Sequence, residues 1–303
     1  MTAVRYAVRH ETLYRYRRTV AHAHQQLHLT PRDFARQRCL QHVIEVEPEA
    51  AVRSEYMDAF GNGVTRIELD RPHEQLQVIA AMQVSLEALP EPPAQEGEAW
   101  EQVRDALCYQ ARARDQDWLE AMRFRVESPF VHIKRLFSDF ASDCLVPGGS
   151  VLAVASALMN KVHEEFTYAP GETEIATPLI EVFNKRRGVC QDYAHLIIAC
   201  LRSAGLAARY VSGYLHTNAG GAPAADREGG DASHAWVSVF APPFGWIELD
   251  PTNNLRVQQD HVALAWGRDF SDVSPLRGVI VGGGSHTLSV RVTVRALAAP
   301  TPA

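Results

Sequence analysis

The tightest constraint on this chain is local. The stretch RRGVCQDYAHLIIACLRSAG, residues 186–205, sets Gly-Val-Cys directly before a strongly apolar helix. From Ala194 the apolar residues Ile197, Ile198 and Leu201 follow at i+3, i+4 and i+7, a helical stripe, and Gly205 is well placed as its stop signal. Cys190 therefore sits in the first turn. A helix N-terminus carries partial positive charge and unpaired N–H groups that favour an anion. Thiols held there are pushed from a free pKa of about 8.5 to roughly 3.5–7.5. The plainer alternative is a buried structural cysteine near a helix start.

The 303 residues suffice for one large domain or two of ordinary size. The formal net charge of −6 argues against nucleic acid as a partner, since a phosphate-binding footprint needs many clustered cations. The one basic cluster, YRYRR at Tyr14 to Arg18, reads as a half-exposed strand. No apolar run approaches the ~20 residues of a membrane span, and the N-terminus MTAVRYAVRHETLY lacks the plan of a signal peptide. Cysteines at 39, 108, 144, 190 and 200 are odd in number and scattered, with no CxxC. Free thiols in a reducing cytoplasm are the expectation.

The hydrophobic period changes along the chain. Residues 1–89 hold short β-rich runs (YAVRHETLYRY, QHVIEVEP, VTRIELD, LQVIAAMQVSLEAL) separated by turn-forming pieces such as LTPRDF and DAFGNG. They are expected to form a small antiparallel β-sandwich or barrel. The Pro- and Glu-rich residues 90–100 read as a linker. Residues 101–303 begin with helical segments, among them SPFVHIKRLFSDFAS with Ser128 and Pro129 as cap and first residue. After Gly205 come the strands AARYVSGYLH, HAWVSVFA and GWIELDP, and the tail LSVRVTVRALA supplies an edge strand. The fold class expected is α+β. The Gly- and Ala-rich stretch 216–233 reads as either disorder or a functional lid.

A thiolate needs a base to take and return a proton, and a third group to orient that base. Histidine suits the task because its ordinary pKa, about 6.5, lies near working pH. His234 opens a β-branched, aromatic strand, and Asp250 ends the strand that returns after the Pro-Pro-Phe-Gly turn. Hairpin neighbours approach within about 5 Å, so the two are expected to face each other directly. Cys190, His234 and Asp250 then form a triad in which the carboxylate fixes the imidazole tautomer. An oxyanion would be met by the backbone N–H of Cys190 and a second donor, with Tyr168 or Gln191 as candidates. His195 lies on another helix face, and Cys200 is expected to be buried and inert. Taken singly, His234 could be a structural histidine and Asp250 a turn former.

Two other classes stand beside this one. In HAHQQLH, His22 and His24 share a strand face with His28 nearby, and Cys190 and His234 could also be ligands of a metal module, although neither HExxH nor CxxC occurs. A non-catalytic scaffold is the other. No G-x-S-x-G supports a serine hydrolase.

The segments GVCQDYAHLIIACLRSAGLAARYVSGYL, DASHAWVSVF and GWIELDPTNN resemble the core of the bacterial transglutaminase-like family, whose members are described as cysteine proteases. LHLTPR, DAFGN and PHEQLQV resemble the β-rich domain that precedes that core. The resemblance implies a papain-like core with a helix-borne cysteine on an antiparallel sheet, and it matches Cys190, His234 and Asp250 to the family's triad. It also implies acyl transfer on an amide or isopeptide bond of a protein or peptide substrate, with hydrolysis expected first and glutamine transamidation second. No cofactor is expected; calcium, used by eukaryotic relatives, has no EF-hand or dense acidic loop here.

Overall fold

The protein is described from a computed structural model, over residues 3–108, 115–217 and 233–297. In chain order the first five strands are β1 (Val4–Leu27), β2 (Gln37–Glu47), β3 (Val52–Met57), β4 (Gly63–Leu69) and β5 (His73–Leu86). Helices α1 (Trp100–Ala106), α2 (Gln116–Met122), α3 (Arg135–Ala141) and α4 (Val151–Glu165) follow. Then come β6 (Thr167–Tyr168), α5 (Leu179–Lys185), β7 (Arg187–Gly188) and α6 (Cys190–Ser203). The last part holds β8 (Ala208–Leu215), β9 (His234–Phe240), β10 (Trp246–Asp250), β11 (Leu255–Arg256), β12 (His261–Gly267), α7 (Phe270–Val273), β13 (Leu276–Gly282) and β14 (His286–Leu297). The chain is α+β, with a β-rich half-barrel and a helix-and-sheet core. Residues 218–232 of the Gly- and Ala-rich stretch, the suggested lid, lie outside the described residues.

The first sheet is organised by β1, whose 24 residues serve two sets of neighbours. Its first half pairs with β5 on one side and β14 on the other. Its second half pairs with β4 and β13. The change of partner falls at Tyr16 to Val20, where the β5 register shifts, so YRYRR marks the bend in a long strand. The tail was expected to extend the second unit of the chain. It instead returns to the first sheet, because alternating β13 and β14 find an open ladder along β1.

The second sheet runs β11-β10-β9-β8-β12, antiparallel throughout. Strands β8, β9 and β12 are buried at every residue. Antiparallel sheets commonly leave one face to water; this one does not, because α6 packs on one face and the first sheet approaches the other. Helix α6 is correspondingly buried all round from Asp192 to Arg202, as expected of a helix at a domain centre rather than on its surface. The polar members of that run are paired. The Arg202 guanidinium donates to the carbonyls of Phe124, Ala208 and Arg268 at 2.7–2.8 Å. Ser128 and Pro129 do not start a helix: α3 begins after Lys134, since the N–H of Phe130 is taken by Asp269 at 2.8 Å.

Two buried side-chain amides close the far edge of β12. Gln37 accepts from the N–H of Ala263 at 2.8 Å and donates to its carbonyl at 2.7 Å. Asn62 does the same with Trp266, at 3.0 and 2.9 Å. Each amide thus stands in for a peptide unit of a neighbouring strand, satisfying an edge that would otherwise be bare. Arg36 adds an ion pair to Glu248 and a hydrogen bond to the His261 carbonyl at 2.9 Å. These contacts bind the half-barrel to the core. Replacing Asn62 with Ala should lower stability by about 1–3 kcal/mol for each orphaned group of Trp266, read as an earlier urea midpoint. An unchanged midpoint would show that the edge is satisfied another way.

Candidate active site

Cys190 opens α6, with extended Val189 before it. Valine offers no side-chain acceptor, so the cap is closed from inside the helix. Asp192 accepts from the Val189 N–H at 2.8 Å and from the Thr173 hydroxyl at 2.7 Å. Gly188 is required here: an added Cβ would lie 2.6 Å from the Asp192 carboxylate. The bent entry turns the thiol into a cavity of about 270 Å³ that Gln191, Tyr210, Ser212 and His234 also line.

His234 begins β9 beside that thiol. Its Nε2 meets Asp250 Oδ2 at 2.8 Å, with both side chains fully buried. The two are not directly opposed. Trp246 pairs with Phe240 and Leu249 with Val237, which places Asp250 level with Trp236 and two residues short of facing His234. They are diagonal neighbours on one face, a separation that an imidazole spans. The hairpin is symmetric about Pro243, whereas direct opposition of His234 and Asp250 would need it centred on Pro242, an offset that sequence spacing could not resolve.

Asp250 does both things its position suggested. Oδ1 accepts from the N–H groups of Thr252 and Asn253 at 3.0 and 3.3 Å, shaping the turn after Pro251. Oδ2 accepts from His234, from the Asn253 amide at 2.7 Å, and from His261 Nε2 at 3.0 Å. His261 is the residue that sequence reasoning missed. It opens β12, and its Nδ1 meets Asp260 Oδ1 at 2.7 Å. No motif flags it, because its approach depends on β12 lying against β8. Gly213 permits that: a Cβ there would sit 2.0 Å from the Val262 carbonyl.

The electrostatics follow from this packing. Burial by itself would push the His234 pKa down, but the Asp250 carboxylate and then the Cys190 sulfur overcome it and hold the ring at about 10. Burial likewise pushes Asp250 up, yet His234 and His261 draw it well below the usual carboxylate range. The pair is thus charged. With Nε2 committed to Asp250, Nδ1 is the nitrogen left for the thiol. Nδ1 makes no well-aligned hydrogen bond, a looseness common before substrate binds.

The oxyanion candidates part company. Gln191 lines the cavity, with its side-chain amide donating to the Ile175 carbonyl at 3.2 Å. Tyr168 is carried on β6 beside β7, but its ring meets Tyr193 edge-on and stays outside the cavity wall. His195 is buried and accepts from the N–H of Phe270 at 3.2 Å, away from the thiol's partner. Cys200 is buried, and desolvation pushes its thiol pKa up.

The histidines of HAHQQLH do not assemble. His22 and His24 are exposed on β1, whereas His28 is buried against the Ser274 carbonyl at 3.1 Å. Among the described residues the grouping with ligand-like spacing is His234, Asp250 and His261, whose atoms lie within 4.8 Å of one another. The Nε2 of each histidine already donates to the shared carboxylate oxygen.

With the fold and this geometry in place, the comparisons are specific. Residues 6–85 match the bacterial transglutaminase-like N-terminal region, and residues 139–251 match the transglutaminase-like superfamily. The chain belongs to the transglutaminase-like superfamily, in its bacterial form with the β-rich N-terminal region. An uncharacterized protein of Mycobacterium tuberculosis is 38% identical over 292 residues, covering 94% of this chain and 90% of the relative. A protein-glutamine gamma-glutamyltransferase of Pseudomonas aeruginosa is 32% identical over 146 residues, 41% of this chain and 20% of that protein. In structure the chain resembles a candidate cysteine protease from Cytophaga hutchinsonii, with a TM-score of 0.77, 19% identity and coverage of 100% and 93% of the two chains. His261 lies beyond the matched core segment. No helix among the described residues is long and apolar enough to cross a membrane.

The pKa of His234 makes a pH prediction. A base whose folded pKa exceeds its ordinary 6.5 contributes stability that is complete below pH 6.5 and disappears as pH rises through about 10. Urea denaturation between pH 6 and pH 10.5 should show stability falling across that window. A His234→Gln protein should fall less steeply, and identical profiles would contradict the charged pair.

Proposed function

We propose that the protein is a cysteine-dependent acyl-transfer enzyme that hydrolyses an amide or isopeptide bond through a thioester. The observation that carries this reading is the meeting of Cys190 and His234 at one wall of one cavity, with Asp250 buried behind the His234 ring at 2.8 Å. Thiols at helix N-termini are favoured as thiolates, and a histidine with one nitrogen on a buried carboxylate has its other nitrogen in a defined protonation role.

In this mechanism the thiol proton already resides on His234 Nδ1, and Cys190 Sγ attacks the substrate carbonyl carbon as thiolate. The tetrahedral oxyanion is met by the N–H of Cys190, one of the first N–H groups of α6, which have no intrahelical acceptor. When the C–N bond breaks, the imidazolium returns its proton to the departing amine and leaves a thioester on Cys190. Water then enters, gives a proton to His234 and attacks the thioester; the C–S bond breaks, the acid departs and the Cys190 thiolate and His234 imidazolium are restored. Asp250 keeps its negative charge throughout and stabilises the imidazolium. The carboxylate, held by five donors, supplies this field without reorganising.

Transamidation, in which an amine replaces water, is the second reading. The likeness to the Pseudomonas aeruginosa gamma-glutamyltransferase favours it over part of the chain. The two readings share the acyl-enzyme and differ in the acceptor.

Cys190→Ala and His234→Ala should each remove acyl transfer by a factor on the order of 10⁶, and Asp250→Ala by roughly 10⁴, as in another dismantled triad. Turnover is followed by amine release from a panel of peptide amides and isopeptides, with added primary amine as competing acceptor. Wild-type rates in the Cys190→Ala protein would refute the mechanism.

A further inference from the structure

The cavity before Cys190 is built from both ends of the chain. Thr12 and Tyr14 of β1 pair directly with Val290 and Leu288 of β14, and these four residues lie along one wall of the space. Ile175 and Phe270 of the core, with Leu276 of β13, stand among the other walls. Leu288 and Val290 are 49% and 41% exposed, so apolar surface is presented to the space beside the thiol. Among the described residues, no Asp, Glu, Lys or Arg lines it.

Several of the polar groups that line the cavity are already paired. His10 reaches the Tyr214 hydroxyl through Nδ1 at 3.0 Å and the Thr12 hydroxyl through Nε2 at 2.7 Å. Burial pushes the His10 pKa down to about 4, so the ring is neutral. The Gln191 amide is bonded to the Ile175 carbonyl. The charge of the His234 ring is engaged by Asp250 and the Cys190 sulfur. Beyond that ring, a charged substrate group placed here would lose its water and meet no side-chain carboxylate, ammonium or guanidinium among the described lining residues, which is unfavourable. At about 270 Å³ the space falls below the usual range for drug-sized ligands, so it suits one side chain and its carbonyl.

We propose that this cavity receives the residue bearing the attacked carbonyl and selects a bulky, uncharged apolar or aromatic side chain, with β1 and β14 of the first sheet supplying the selective wall. The assignment rests on the acyl-transfer reading of Cys190. It gives the β-rich half-barrel a direct part in substrate choice.

The test uses the full-length protein and N-acetyl amino-acid chloromethyl ketones of Phe, Leu, Asp and Lys. In each reaction the Cys190 thiolate displaces chloride and a C–S bond forms, chloride leaving to solvent and the proton remaining on His234. Adducts on Cys190 are counted by mass spectrometry against time, and iodoacetamide serves as a reagent with no side chain to recognise. The Phe and Leu reagents should label Cys190 about tenfold or more faster than the Asp and Lys reagents, the discrimination expected of an apolar pocket. Leu288→Glu, or Val290→Glu should the first fail to fold, should abolish that gap once each reagent's rate is divided by the same protein's iodoacetamide rate. Equal rates for all four reagents, or a gap that survives both substitutions, would overturn the pocket assignment alone. Iodoacetamide labelling of Cys190 no faster than that of exposed Cys108 would overturn the acyl-transfer reading, and the assignment with it.

Discussion

A fully buried carboxylate is among the more costly groups a fold can hold, and it persists only where donors surround it. Asp250 has them on both oxygens: two backbone N–H groups of its own turn, the Asn253 amide, and two imidazoles from different strands. The rest of the site depends on this arrangement. It keeps Asp250 ionised, which keeps the His234 ring protonated against its own burial, and it leaves one ring nitrogen facing Cys190. Remove the carboxylate, and a buried cation would remain with the thiol as its remaining partner.

The donors on Asp250 come from three places that only the second sheet joins. His234 starts β9, Asp250 ends β10, and His261 starts β12 on the far side of β8. A chain of contacts thus runs from Asp260 through His261 and Asp250 to His234. Its outer end is fastened to the half-barrel, because β12 is paired along its free edge by Gln37 and Asn62 and the His261 carbonyl is held by Arg36. The first sheet therefore bears on the site twice, once by fixing the strand that carries His261 and once by walling the cavity through β1 and β14.

This also explains why the two units cannot be separated along the sequence. The half-barrel takes its long central strand from the start of the chain and two further partners from its end, so the core lies between two parts of one sheet. Its strands β8, β9 and β12 are apolar and fully buried because both of their faces are covered. A core sheet of this kind would expose a large apolar face without the half-barrel.

Much of this was legible in the residues. The change from strand alternation to helical spacing marked the β-rich region and the helices, and Gly-Val-Cys before Ala194, Ile197, Ile198 and Leu201 located the thiol at a helix start. His234 opening one strand and Asp250 closing the next marked the pair, since a hairpin brings such positions together whatever surrounds it. These are local consequences of covalent order and side-chain period. What tertiary structure alone decided was everything that needs two distant segments to meet: the diagonal register of His234 and Asp250, the approach of His261, the exclusion of Tyr168 from the cavity, and the return of β13 and β14 to β1. In each case the deciding interaction joins groups whose separation in sequence carries no period, so only packing could select it.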